Sequence, residues 1–459
     1  MTATVTGGPT ATGGTAPAGR PAGPGGPAPG RARRRRIGLP RTSTTPGKVR
    51  LILVGLLVMC LGWGVLAALM VGQHASAADD VVGTSEPLSL KAQQMYQSLA
   101  DADVTVSTGY LYGPAPAFAS RQFASRQRYL KDIAVATADV KAVTAASGGS
   151  ADSAVGGSLS TLSAGLPLYT GYVEDGQIYS SQGYPAGGSF IEVASDEMHL
   201  TMLPAARNVY AQENARLAQA SAQATGLPLA VITLAAALVV GFCLYRSQRW
   251  LSQRTHRTLN VGLLVASVAG VAAFLWLIVA LAGGRSDLLQ ATGHGSTPAE
   301  TLAQAEIAAL QARGDETLNL ISRTGDTDFQ QDFHTAQGQF STLLTTASSQ
   351  STASARPPTT AAGRDASSWF VVNQQAQQLD HAFEYGAETQ LELGSAGTLF
   401  NRLESDLDAA ISADQAVFAA SAAAGSGAFT GLEAGVIVLA LIMAVGCAWG
   451  LSRRLAEYR

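Results

Sequence analysis

Residues 51–72 read LILVGLLVMCLGWGVLAALMVG, without a charged side chain. A helix rises about 1.5 Å per residue, so roughly 20 apolar residues cross the ~30 Å hydrocarbon core of a bilayer. Just upstream lie Arg31, Arg33, Arg34, Arg35, Arg36, Arg41, Lys48 and Arg50. Positive charge stays on the cytoplasmic side, which places the N-terminus inside and everything after residue 72 outside. Ala75-Ser76-Ala77 resembles a signal-peptidase site, but the apolar region of a signal peptide is usually about 7–15 residues long. A retained helix is expected.

Three more apolar runs follow the same logic. Residues 227–245 end in Arg246, Arg249, Arg254 and Arg257, marking a short cytoplasmic loop. Residues 259–281 return outside, and residues 434–451 end in Arg453 and Arg454, so the C-terminus is inside. The expected layout is a disordered basic cytoplasmic tail (1–48), transmembrane helix 1 (49–73) and extracytoplasmic helical domain 1 (74–226). Transmembrane helix 2 (227–245), a cytoplasmic loop (246–258) and transmembrane helix 3 (259–283) come next. Extracytoplasmic helical domain 2 (284–430), transmembrane helix 4 (431–451) and a cytoplasmic tail (452–459) complete it. The fold class is an all-α membrane protein with four transmembrane helices and two extracytoplasmic helical bundles in tandem, located in the plasma membrane.

Composition agrees. Hydrophobic residues make up 47% of the chain and charged ones 14%, which suits a membrane protein better than a large soluble core. A net charge of −3 gives a nucleic-acid partner no electrostatic support. Cys60, Cys243 and Cys447 all lie in apolar runs, so the outside segments hold together without disulfides.

The outside segments read as helices. Leu88, Ala92, Met95, Leu99, Ala102 and Val106 recur at spacings of four and three, one helix face, with Pro87 suited to a first turn. A second helix is expected over 123–143, then a Gly/Ser linker over 145–157, and a last helix opening near Pro204. In the other half, Thr297-Pro298-Ala299-Glu300 reads as a capping box that starts a helix. Ala303, Ile307, Leu310, Thr317 and Ile321 continue one face of it. A Ser/Thr/Pro-rich linker is expected over 345–360, followed by helices around 369–385 and through Phe400, Leu403, Leu407 and Ile411. Within the membrane, Gly262, Ala266 and Gly270 form a small-residue stripe that allows close helix approach.

The two halves share one plan: membrane helix, long outside segment, membrane helix, basic stop. Ala92-Gln93 and Leu99 are spaced like Ala303-Gln304 and Leu310. The repeat is parallel, unlike the inverted repeats of many transporters. Helices running from the membrane into each outside domain could slide, tilt or rotate and so carry a signal across.

Catalytic patterns are missing from the sequence: it contains no Walker loop, HExxH, GxSxG elbow or dinucleotide fingerprint. The histidines are scattered without metal-ligand spacing, and no cofactor or metal is expected. Acidic residues along the helices read as solvated. The candidate ligand or partner surface is the Tyr-rich stretch, where Tyr169, Tyr172, Tyr179 and Tyr184 accompany Glu174 and Asp175 in a Gly/Pro-punctuated loop. Tyrosine offers a large amphipathic area at low entropy cost. Tyr169, Tyr172, Glu174, Tyr184 and Arg207 are the site candidates; Arg207 either pairs with Glu213 or meets a partner. The competing reading of the tyrosines is that they cap the bundle core.

Tyr169-Thr-Gly-Tyr-Val-Glu174, Gln182-Gly-Tyr-Pro-Ala-Gly-Gly-Ser-Phe190 and Leu203-Pro-Ala-Ala-Arg207 resemble the GlnX-like family of actinobacterial four-helix membrane signalling proteins. The resemblance covers both outside domains and all four membrane helices. It implies a relay in which a solute-binding lipoprotein senses amino acids such as aspartate or glutamate outside. The membrane protein then passes the signal to a soluble cytoplasmic Ser/Thr protein kinase controlling nitrogen and central carbon metabolism. It transfers no ligand residues. The expected partners are therefore the lipid bilayer, that lipoprotein, that kinase and a second copy of the chain. The rivals are a structural or scaffold protein of the cell envelope and an accessory subunit of a transporter.

Overall fold

The computed structural model describes residues 45–113, 116–147, 154–255, 260–322 and 327–456. Most of the basic tail, the centre of the 145–157 linker and the end of the 246–258 loop lie outside the described residues. The described residues contain helices and turns but no strand.

The chain rises as one long helix. Helix α1 (Thr45–Asp80) passes through a π-helical turn, Val81–Ser85, into α2 (Glu86–Leu111) without a break. The second half repeats this: α8 (Val261–Ala291), a π-turn at Thr292–Ser296, then α9 (Thr297–Ser322). At about 1.5 Å per residue each rod is roughly 90–100 Å long. Thr297 and Pro298 therefore do not start a helix, as the capping pattern had implied; they lie within one. The reason is the π-turn. Proline lacks an amide donor and its ring presses on the carbonyl four residues back. The widened π-turn just before Pro87, Pro298 and Pro204 accommodates both defects.

From the top of α2 the chain descends in α3 (Ala119–Ala146), returns upward in α4 (Ala154–Ser181), and descends again through α5 (Ala186–Glu197), a π-turn at Met198–Met202 and α6 (Leu203–Thr225). The second half follows with α10 (Thr327–Gln350), α11 (Arg356–His381), α12 (Tyr385–Leu391), a π-turn at Glu392–Ala396 and α13 (Gly397–Gly427). The expected 345–360 linker shrinks to residues 351–355: α10 runs on to Gln350, and α11 opens at Arg356 with Pro357 and Pro358 in its first turn, where proline is tolerated. The Tyr-rich stretch is not a loop either: Tyr169, Tyr172 and Tyr179 lie on α4, which carries Pro167 within it.

The descending helices are broken where the rising ones are continuous. Gly226 and Leu227 separate α6 from α7 (Pro228–Thr255), and a turn at residues 428–431 separates α13 from α14 (Leu432–Ala456). Gly431, at φ +75°, adopts a backbone that side-chain-bearing residues avoid.

Helices α1, α7, α8 and α14 are long and apolar enough to cross a membrane. They pack as a ring in which α14 touches both α1 and α8, and α7 touches both α1 and α8. The small-residue stripe of α8 faces α14: a Cβ on Gly262 would lie 2.5 Å from the Gly446 carbonyl oxygen, and Ala266 abuts Gly446. Backbones in contact gain dispersion energy that bulkier residues would prevent. Asn260 ties the same pair together, its Nδ2 donating to the Gly450 carbonyl at 2.8 Å.

Above the ring, the two repeats form one head with a common core. Met95 and Leu99 of α2, Leu162 of α4, Leu310 of α9, Trp369 of α11 and Leu403 of α13 belong to one continuous buried cluster. The rising rods α2 and α9 pack directly against each other at its centre.

Candidate functional site

The faces that α2 and α9 turn into this core are not wholly apolar. Asp101 and Asp103 on α2, and Glu306, Arg313, Asp315 and Glu316 on α9, lie among the buried alanines and leucines. An unpaired charge there would be expensive, so each should have partners. Three polar nodes supply them.

The first centres on Asp103, which is buried. Ser195 Oγ donates to it at 2.8 Å, Tyr169 OH donates at 3.3 Å, and His199 Nε2 pairs at 3.3 Å. His199 is supplied by the π-turn at Met198–Met202. Burial disfavours the charged ring, yet the hydrogen bond and charge of Asp103, with Asp315 and Asp196 nearby, push it up to about 9. Asp315 reaches across from the second repeat; burial lifts its carboxyl to about 7 against the pull of His199.

The second node joins the repeats. Arg128 of α3 forms a two-pronged pair with Asp101, at 2.9 and 2.7 Å, and also bonds Glu404 of α13. Burial, then the charge and hydrogen bond of Asp101, raise Asp132 to about 8, so at neutral pH it carries a proton towards Asp101. Burial and then Asp101 likewise lift Glu404 to about 7. Gln97 of α2 donates across the repeats to Glu306 at 2.6 Å.

The third node lies in the second repeat. Arg313 is completely enclosed and bonds both Glu316, at 2.5 Å, and Glu392. Glu316 also accepts from Trp369 Nε1 at 3.0 Å and Asn373 Nδ2 at 2.6 Å. Burial and then the adjoining Glu316 carboxylate push Glu392 well above the usual range despite Arg313, so Glu392 holds a proton. Glu392 opens the π-turn at Glu392–Ala396, the counterpart of the turn that supplies His199. Both repeats thus use a second π-turn to deliver a titratable side chain to the central rod, in keeping with the frequent use of π-bulges at functional positions.

A cavity of about 420 Å³ opens between the second and third nodes. Its walls come from both repeats: Asp101, Thr105, Thr108 and Tyr112 of α2 and its end, Arg121 and Arg128 of α3, Arg313, Glu392, and Asn401 and Glu404 of α13. A second cavity of about 340 Å³, bounded by α2, α3, α4 and Ile191, shares Thr105 and Ser125 with the first.

The five sequence candidates do not converge. Tyr169 is fully buried and bonds Asp103. Tyr172 is half-buried against the core, whereas Glu174, Tyr184 and Arg207 are exposed. None of the five lines either of these cavities. Glu213 is buried and pairs with Arg216 at 2.7 Å rather than with Arg207, because the spacing of three places Arg216 beside it on α6.

The acidic residues that the sequence presented as solvated are the ones gathered in the nodes. A readable sign existed at one node: Arg313 stands three residues after Leu310, beside the apolar face. Asp103 and His199 gave no such sign, since 96 residues separate them and only tertiary packing joins them.

The fold and this site define a class: an all-α membrane protein with four membrane-length helices, whose paired rising rods meet in a charged, cavity-bearing helical head. Residues 77–222, which span the head part of the first repeat, match the family model described as Actinobacterial sensor domain. A sensing or signalling role accords with that match. No curated protein matches the chain. No solved structure matches it either.

Proposed function

We propose that the protein is a non-enzymatic transmembrane sensor that relays an extracytoplasmic signal to a cytoplasmic partner. One observation carries the reading: two membrane-length helices continue unbroken into the central rods of the head, where both repeats meet around buried charges. A ligand or protein that changes how the repeats pack must move α2 against α9. Rigid rods then pass that movement to α1 and α8 as a shift or rotation. Such a device responds only to a ligand with different affinities for two packings of the head.

The basic residues before α1 and after α7 and α14 orient the head to the outside with both termini in the cytoplasm. The proposed output is another protein; by resemblance it is a soluble Ser/Thr kinase. By the same resemblance the input is an amino-acid-binding lipoprotein. The half-buried Tyr172 and exposed Glu174 of α4 and the exposed Tyr184 just beyond its end are the residues proposed to meet that partner.

The test is a crosslinking pull-down of the tagged protein from its own membranes, with and without external amino acids. Co-recovery of an extracytoplasmic binding protein and a cytoplasmic kinase, in amounts that change with the amino acid, is the expected result. Recovery of transporter subunits or of envelope proteins alone overturns the relay.

A further inference from the structure

We propose that the cavity between the two repeats binds a small organic carboxylate, clasped by Arg121 and the hydroxyl and amide donors around it. The inference deepens the sensor reading by naming a ligand class, and it rests on that reading for its consequence but not for the binding.

The polar groups lining the cavity divide into two sets. Asp101, Glu404, Arg128, Arg313 and Glu392 are committed to one another in the second and third nodes. The other set is uncommitted. Arg121 has no acidic partner among the described residues; one of its five N–H donors reaches the Leu393 carbonyl at 3.3 Å, and its guanidinium lies over the Phe118 ring at 5.9 Å. Thr105 Oγ1, Thr108 Oγ1, the Tyr112 hydroxyl and the Asn401 amide have no hydrogen-bond partner among the described residues; Arg121 and Asn401 are exposed, while Thr108 and Tyr112 are half-buried.

Every uncommitted group can donate a hydrogen bond, and among the described residues lining the cavity the uncommitted charge is positive. That set complements an anion, and a planar guanidinium fork suits a carboxylate in particular. The raised carboxyls of Glu392 and Glu404 lower the negative charge that an incoming anion would face. A volume of about 420 Å³ falls within the range of small-molecule sites. The donors also come from both sides: Thr105, Thr108 and Arg121 belong to the first repeat and Asn401 to the second. A carboxylate bridging them draws α2 and α3 towards α13, and favours one packing of the repeats over the other.

Isothermal titration of the full chain in detergent micelles tests this, using succinate, acetate and inorganic phosphate as probes, with methylammonium as the cationic control. Saturable binding of succinate is expected, weakened about tenfold or more by Arg121→Gln, the equivalent of about 1.4 kcal/mol. Thr108→Val, which removes a donor without changing size, should weaken it as well. Arg126→Gln, outside the cavity, should leave it unchanged, and thermal unfolding of each variant shows that it remains folded. No saturable carboxylate binding, equal affinity in Arg121→Gln and wild type, or tighter binding of phosphate or methylammonium than of succinate overturns the assignment. Succinate binding that leaves the pull-down partners unaltered sinks the relay while the site stands.

Discussion

Glu316 and Glu392 flank the same arginine, yet their replacement by glutamine should have very unequal costs. Four donors converge on the two oxygens of Glu316: Arg313 at 2.5 Å, Trp369 at 3.0 Å, Asn373 at 2.6 Å and the carboxyl proton of Glu392. In Glu316→Gln one oxygen becomes an amide nitrogen, so in either orientation at least one buried donor faces another donor. An unsatisfied buried donor costs about 1–3 kcal/mol, and disrupting a buried ion pair from one side costs about 3–5 kcal/mol. The expected loss is about 3–5 kcal/mol. Glu392 already holds a proton against Glu316. In Glu392→Gln the amide oxygen accepts from Arg313 and the amide nitrogen replaces the carboxyl proton, for an expected change of about 1 kcal/mol or less. At about 2–4 °C per kcal/mol, Glu316→Gln lowers the unfolding midpoint of the head by at least ~6 °C, and Glu392→Gln by a few degrees at most. Near-ultraviolet circular dichroism on heating reads the packing of Trp369 directly. Equal destabilisation by the two variants would refute the shared proton and with it the account of this node.

The head should lose stability as pH rises. Asp132, Asp315 and Glu404 keep protons to about 8, 7 and 7 in the fold, but release them in the usual carboxylate range when unfolded, so each contribution is lost as pH climbs through that window. His199, raised from 6.5 to about 9, acts in the same direction: its contribution is complete below 6.5 and gone above about 9. The unfolding midpoint therefore falls between about pH 5 and about pH 9, and a flat or rising profile contradicts these assignments. In the membrane ring, Gly262→Ala places a methyl 2.5 Å from backbone atoms of α14 and should cost about 1–3 kcal/mol in a detergent melt, while Gly241→Ala, with nothing within 4 Å, should be neutral. On the outer surface, joint replacement of Tyr172 by Ala and Glu174 by Gln should weaken capture of an extracytoplasmic partner with only a small shift in melting. Unchanged capture by the folded double variant removes that surface from consideration.

The membrane helices, the repeat and the apolar faces of the rods are legible in the order of residues alone. Residues 51–72 carry their partner, the lipid, in their own composition, and the face through Ala92, Met95 and Leu99 declares itself by periodicity within a single helix. The stripe at Gly262, Ala266 and Gly270 was legible for the same reason, and it does meet α14. Signals that depend on backbone continuity were misleading. Thr297-Pro298-Ala299-Glu300 has the residues of a helix start, but the preceding π-turn allows the helix to continue through its proline, and local composition does not encode that. The site is made by long-range packing. Arg128 joins Asp101 to Glu404, Asp103 joins His199 and Arg313 joins Glu392 across separations that no periodicity spans. Whether a charge on a helix is solvated or buried depends on which neighbouring helix covers it, and that neighbour is chosen by the packing of two whole repeats around one core.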